Sequence, residues 1–314
     1  MEKRTYNVLF AGTPQFAVPI LEILYSLPHI SVLGVLTQPD KPTGRSQRMT
    51  PSEVKKAATA HGTPVFTYEK LSTPEVAVAL SDLHIDVAVT AAYGKIIPQK
   101  LLDLFPFGWL NVHASVLPKL RGASPIAHAI LHGFTETGVT LMRMDAGLDT
   151  GPVLTSEKIP IGPRETSETL HGKLSALGAK IVGSSLISYL EGTIKSIPQQ
   201  EEGATICGVL KREDGKIDWK QSAIEIDGHI RAMTPWPGSF TQFIGENMKI
   251  LDAKPVRLPA GPIAGKLTWD GAQLLVDTTA EQLSILRLQI AGKKPMTAKE
   301  FVNGFGGKLP VVLE

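Results

Sequence analysis

At 314 residues, 43% apolar and 20% charged, with a net charge of +2, the chain has the profile of an ordinary globular protein large enough for two cores, neither disordered nor fibrous. Its longest apolar runs, such as VLGVLT and IDVAVTAAYG, fall short of the roughly 20 residues that cross a bilayer, and MEKRTYNVLFAGTPQF has no secretory apolar core, so a cytoplasmic protein without membrane contact is expected. The single cysteine, Cys207, cannot form an internal disulfide and reads as small core filler in ATICGVLK.

In chain order, YNVLFAG is a short apolar run closed by glycine, and TPQFAVPILEILYSL then repeats Phe16, Ile20, Leu21 and Leu24 at helical spacing. Strand and helix continue to alternate: SVLGVLTQ a strand, PSEVKKAATAHG a helix, TPVFTY a short strand, PEVAVALSDL a helix, IDVAVTAAYG a strand, and GWLNVHAS the next strand. That alternation predicts an α/β domain with a mostly parallel sheet and helices on both faces, whose ligands sit beyond the carboxyl ends of the strands. VTLMRMDAGLDTGPVLTSEKIPI reads as two strands joined by a glycine-rich turn. The stretch from Ser167 onward is a long helix with Leu170, Leu174, Leu177, Ile181 and Leu190 on one stripe. TIKSIPQQEEGA is polar, carries a proline and shows no period, so residues 194–206 read as a linker between a domain at 1–193 and another at 207–314. MKILDAKPV, AGKLTWD, AQLLVDT and LSILRLQI are closely spaced short strands, which predicts a mainly β second domain, a small barrel.

The first strand-to-helix turn, AGTPQF, offers only Gly12 where a dinucleotide site has G-x-G-x-x-G, and no phosphate-binding loop occurs elsewhere. His128 and His132 share a helix face but lack a third ligand, so no metal is expected. Ser115 lacks the G-x-S-x-G elbow of a serine nucleophile. Asn111 and His113 are more telling, because alternation on a strand end points both side chains the same way. With Asp149 they supply a neutral donor for an oxyanion, a proton-shuttling imidazole and a carboxylate to hold it. Spacing alone leaves open that Asn111 and His113 merely finish a strand and that Asp149 makes a turn.

NVHASVLPKLRGASPI, followed by ETGVTLMRMDAGLDTGPVL, resembles the folate-dependent formyltransferases, whose pattern joins N-x-H and S-L-L-P to a later L-D-T-G. LFAGTPQFAVPIL, LTQPDKPTGR, AAYGKIIP, RAMTPWPGSF and AGKKPM extend the resemblance over nearly the whole chain, to the branch that formylates methionyl-tRNA. It implies a Rossmann-like first domain and an oligonucleotide/oligosaccharide-binding-type barrel that holds tRNA. It further implies that Asn111 and His113 converge on the formyl oxygen of 10-formyltetrahydrofolate while Asp149 orients His113 and helps manage the amine proton of the initiator methionyl-tRNA. By the same resemblance Ser115, Val116, Leu117 and Pro118, with Tyr93, Gly94 and Ile96, line the folate site, Val116 departing from the usual leucine. Lys41, Arg45, Arg48 and Arg121 face the tRNA, in the case of the first three from a loop where five basic side chains outnumber two acidic ones between residues 40 and 56. A monomer is expected. A related formyltransferase or formyltetrahydrofolate hydrolase acting on a small amine or water would share the Asn-His-Asp set, and a tRNA-binding protein without activity would share the fold; the basic loop and second domain weigh against the first, the intact triad against the second.

Overall fold

The computed structural model describes residues 4–43 and 47–314. In chain order the elements are β1 (Tyr6–Gly12), α1 (Val18–Ser26), β2 (Ile30–Leu36), β3 (Lys41–Thr43), β4 (Arg48–Thr50), α2 (Glu53–Ala60), β5 (Val65–Phe66), α3 (Pro74–Ser81), β6 (Val87–Ala91), α4 (Gln99–Leu102), β7 (Trp109–His113), β8 (Arg121–Gly122), α5 (Pro125–Leu131), β9 (Glu136–Arg143), β10 (Val153–Pro160) and α6 (Ser167–Leu190). They continue with β11 (Ile206–Cys207), α7 (Ala223–Ala232), β12 (Ser239–Phe243), β13 (Glu246–Pro259), β14 (Lys266–Trp269), β15 (Leu274–Asp277), β16 (Glu281–Ile290), β17 (Met296–Thr297), α8 (Ala298–Phe305) and β18 (Val311–Val312). No helix among the described residues is long and apolar enough to cross a membrane. The chain divides into two units: Met1–Pro125, Glu136–Pro160 and His171–Cys207 form one, and Ile126–Thr135, Ile161–Leu170 and Gly208–Glu314 the other.

The first unit is built on a sheet of order β10-β9-β7-β6-β1-β2-β5, in which β7, β6, β1, β2 and β5 run parallel, β9 pairs antiparallel with β7, and β10 pairs antiparallel with β9 at the edge. Its central strands β1, β6 and β7 are almost continuously buried, as strands covered on both faces require. On one face Leu9, Leu36, Ala88 and Trp109 pack with Val76 and Leu80 of α3 and Leu101 and Leu102 of α4. On the other α6 comes so close to β7 that a methyl group on Gly178 would lie 2.9 Å from Val112 Cγ1. The leucine stripe read from the sequence is buried at every position named for it. Helix α2 starts where it does because Ser52 caps it, its hydroxyl accepting from Lys55 N at 3.0 Å.

The second unit carries an antiparallel sheet of order β12-β13-β16-β15-β14-β18, with β17 paired to β16. Reciprocal backbone bonds between Gln242 in β12 and Glu314, beyond β18, bring the two sheet edges together and curl the sheet toward a barrel. Inside lie Met248, Leu267, Leu283 and Leu288, with Ile226 and Ile230 of α7 and Phe301 of α8. Both helices open on capping boxes, Ser222 with Glu225 and Thr297 with Glu300. This unit is more helical than the run of short strands suggests.

Candidate active site

Parallel pairing puts the carboxyl ends of β6 and β7 side by side, Thr90 opposite Asn111, while antiparallel β9 sets Met142 opposite Asn111 and Thr140 opposite His113. The chain then leaves β9 through the D-A-G-L-D-T-G turn and returns as β10. Asp145 builds that turn, its Oδ1 accepting from Gly147 N at 3.0 Å and Thr150 Oγ1 at 2.8 Å. Both glycines are required by close approach: a Cβ on Gly147 would sit 1.9 Å from Thr150 Oγ1, and one on Gly151 1.9 Å from Arg143 O. Asp149, between them, adopts φ +53°, a left-handed conformation that aspartate tolerates better than most residues.

The turn delivers the Asp149 carboxylate to the strand end. Its Oδ1 accepts from Asn111 Nδ2 at 3.0 Å, and its Oδ2 accepts from Gly122 N at 2.9 Å and lies 3.5 Å from His113 Nδ1. His113 is buried, and its Nε2 lies 2.9 Å from Leu120 O. A carbonyl can only accept, so Nε2 carries a hydrogen and Nδ1 of the neutral ring is a lone pair facing the carboxylate. A proton arriving at Nδ1 would turn that 3.5 Å approach into an ion pair. Asn111 has two amide hydrogens and spends one on Asp149. Cys207 forms part of the surround, its thiol donating to Leu120 O at 3.5 Å. Burial pushes that thiol up, and the Asp149 charge adds in the same direction, which disfavours its thiolate form.

The remaining expected residues fall into three groups. Ser115 to Pro118 follow β7 directly and are fixed as a turn: Ser115 Oγ donates to Lys119 O at 2.6 Å, while Thr140 Oγ1 donates to Ser115 O and accepts from Leu117 N. Tyr93, Gly94 and Ile96 follow β6, one strand over. The Tyr93 ring is buried in the core of the first unit; burial pushes its phenol up to about 12, and the hydroxyl has no hydrogen-bond partner among the described residues. Gly94 holds φ +77° under the Gln38 amide, and Ile96 is 92% exposed. Lys41 and Arg48 project from the β3–β4 hairpin, Lys41 donating to Gln38 Oε1 at 2.6 Å; Arg45 lies outside the described residues. Arg121, expected at the tRNA, is buried, its guanidinium held by Glu201 and Gln199, and a guanidinium so engaged presents no open edge to a phosphate.

The profile of the formyl transferase family matches residues 6–186, and that of the formyl transferase C-terminal domain matches residues 209–306. The chain belongs to the formyl transferase family. Among its relatives in that family, the methionyl-tRNA formyltransferase of Geobacillus thermodenitrificans is 44% identical over 307 residues, covering 97% of this chain and 96% of the relative. That of Koribacter versatilis is 44% identical over 300 residues, with 95% of each covered. Among solved structures, the sugar 3N-formyl transferase WlaRD, crystallised with dTDP and 5-N-formyl-THF, shares the formyl transferase fold with a TM-score of 0.68 at 20% identity, over 93% of this chain and 100% of that one. An N-formyltransferase from Helicobacter canadensis, in complex with folinic acid and dTDP-3-aminofucose, gives 0.66 at 18% identity, over 90% and 99%.

Within this formyl transferase the segment read as a linker is part of the site's surround. Ile197 exchanges backbone hydrogen bonds with Val153, Thr205 accepts from Leu120 N and Arg121 N, and β11 pairs in parallel with β8. No local pattern marks the hydrogen bonds of Gln199 or Glu201.

Proposed function

We propose that this chain transfers the formyl group of 10-formyltetrahydrofolate to the α-amine of the methionine on initiator methionyl-tRNA, giving N-formylmethionyl-tRNA, and that it acts as a monomer in the cytoplasm. The observation that carries this reading is 44% identity across almost the full length of relatives named for that activity. The side chains at the strand ends suit the chemistry. As the methionyl nitrogen bonds to the formyl carbon and the bond from that carbon to the folate nitrogen breaks, Asn111 supplies its second amide hydrogen to the oxyanion that develops on the formyl oxygen. His113 Nε2 is engaged by Leu120 O and Nδ1 of the neutral ring has no hydrogen to donate, so the oxyanion falls to Asn111, while the Nδ1 lone pair takes the proton leaving the amine, where Asp149 stabilises the resulting charge before the proton passes to the leaving folate nitrogen.

For the folate, an isoleucine as bare as Ile96, next to the end of β6, is an apolar surface that a planar ring would cover. The turn from Ser115 to Pro118, held by its own hydrogen bonds after β7, is assigned to the folate as well. Lys41 and Arg48 of the hairpin, and Arg45 by its place in the sequence between them, are assigned to the tRNA. So is a cleft of about 330 Å³ on the second unit, whose lining includes Arg212, Asn247, Lys249 and Gln289. The test is direct: protein, 10-formyltetrahydrofolate and methionine-charged initiator tRNA are mixed, and the amino acid released on deacylation is analysed. N-Formylmethionine is expected; unmodified methionine in the presence of active donor would overturn the proposal.

A further inference from the structure

Asp149 holds a left-handed backbone conformation, φ +53°, and its carbonyl is restrained there by a side chain from another segment. That restraint comes from outside its own turn. Gln199 Nε2 donates one hydrogen to Asp149 O at 2.8 Å and the other to Gly151 O at 2.7 Å. A single amide thus ties together the two carbonyls that flank Thr150. Gln199 Oε1 in turn accepts from Arg121 Nε at 3.1 Å and Nη2 at 3.0 Å, which fixes which end of the amide faces the turn. Arg121 is locked from its far edge by both oxygens of Glu201, at 3.1 and 3.0 Å. Its own backbone is zipped to Thr205 and β11. Each member therefore has its hydrogen-bonding capacity directed by the next.

We propose that Gln199 is a positioning residue for formyl transfer: by clamping the carbonyls of Asp149 and Gly151 from the 197–201 segment, it sets the direction in which the Asp149 carboxylate meets Asn111, Gly122 and His113. The proposal rests on Asp149 being the carboxylate that serves His113. The hydrogen bonds of Gln199 go to Asp149, Gly151 and Arg121, and not to His113 or Asn111. Its effect is on where an acceptor is held, and misplacements of about 1 Å in such groups cost on the order of 100-fold in rate.

The experiment uses the whole protein and two substitutions. Gln199→Ala removes the clamp, while Gln199→Glu keeps acceptors for Arg121 and removes both donors to the turn. Single-turnover formylation with enzyme in excess is measured for each, alone and combined with Asp149→Asn. Both single variants are expected to lower kcat by roughly 10- to 100-fold, with KM for donor and for methionyl-tRNA within about twofold of the parent. Neither should lower the rate further in the Asp149→Asn background, because no carboxylate remains to be directed. Undiminished kcat in Gln199→Glu, a loss confined to KM, or a full additional loss in the Asp149→Asn background would each overturn the positioning role. Asp149→Asn retaining near-parental activity would instead remove the premise that Asp149 is the catalytic carboxylate.

Discussion

Replacing Asp149 by asparagine isolates the charge of the site from its shape. Asparagine tolerates φ +53° as readily as aspartate, so the turn is spared, and the backbone carbonyl held by Gln199 is unchanged. The new side chain keeps an oxygen for Gly122 N, and its amide can meet Asn111 if that residue turns its own oxygen inward, so no buried donor is left facing a donor. What cannot be kept is the anion 3.5 Å from His113 Nδ1. At that separation and an effective dielectric of about 20, Coulomb's law gives roughly 5 kcal/mol for the ion pair formed when Nδ1 receives its proton. The carboxylate is 14% exposed, so water screens part of this, and ~3–4 kcal/mol remains for the transition state, a fall of roughly 10²- to 10³-fold in kcat. The assay is rapid-quench formylation of methionyl-tRNA at saturating donor, with thermal melting to verify folding. A folded Asp149→Asn protein within tenfold of the parent would refute the assignment of the proton to His113 and leave Asp149 as a turn residue.

Asn111→Ala is expected to lower kcat by about 10²- to 10³-fold, the cost of one oxyanion donor, with donor affinity by fluorescence titration little changed; turnover within twofold of the parent would exclude Asn111 from the chemistry. Arg48→Ala, on the exposed hairpin, should make the dependence of log affinity for tRNA on log salt shallower by about one unit, whereas an unchanged slope would mean that the hairpin makes no phosphate contact there. Burial holds the half-buried His171 below the ordinary histidine value of 6.5, so the unfolded chain takes up the proton first, and the stability due to the neutral ring is present above that pH and is lost as pH falls through the folded value. His171→Leu should therefore flatten the acid side of a melting temperature against pH curve, and an identical curve for both proteins would contradict this.

The first sheet was legible because buried parallel strands and their helices carry period and punctuation in every segment, and because Asn111 and His113 stand two apart on one strand. Their meeting with Asp149 depended on a turn whose D-A-G-L-D-T-G composition marked it as special. Helices α7 and α8 were missed although S-x-x-E and T-x-x-E boxes announce them, since each is short and lies between strands. The polar 194–206 stretch looked like a linker because it buries little apolar surface. It is held by side-chain and backbone hydrogen bonds to partners dozens of residues away, and such bonds leave no period. The partners of Arg121 were illegible for the same reason: an arginine bound for phosphate and one bound for a distant glutamate are indistinguishable until the partner is located. Tyr93, next to a glycine at a strand end, proved to be core, where its ring packs and its backbone carbonyl takes hydrogen bonds from Thr13 and Gln38.

Acceptor choice tests the proposed function most directly, because sugar N-formyltransferases share this fold. Initiator methionyl-tRNA and a dTDP-linked amino sugar should be offered together at equal concentration with limiting 10-formyltetrahydrofolate, and the formylated products separated and counted. Formyl groups are expected on the methionine of the tRNA and not on the sugar, with a preference that collapses when the tRNA is replaced by free methionine. Formylated sugar as the principal product, or equal labelling of free methionine and methionyl-tRNA, would contradict the assignment.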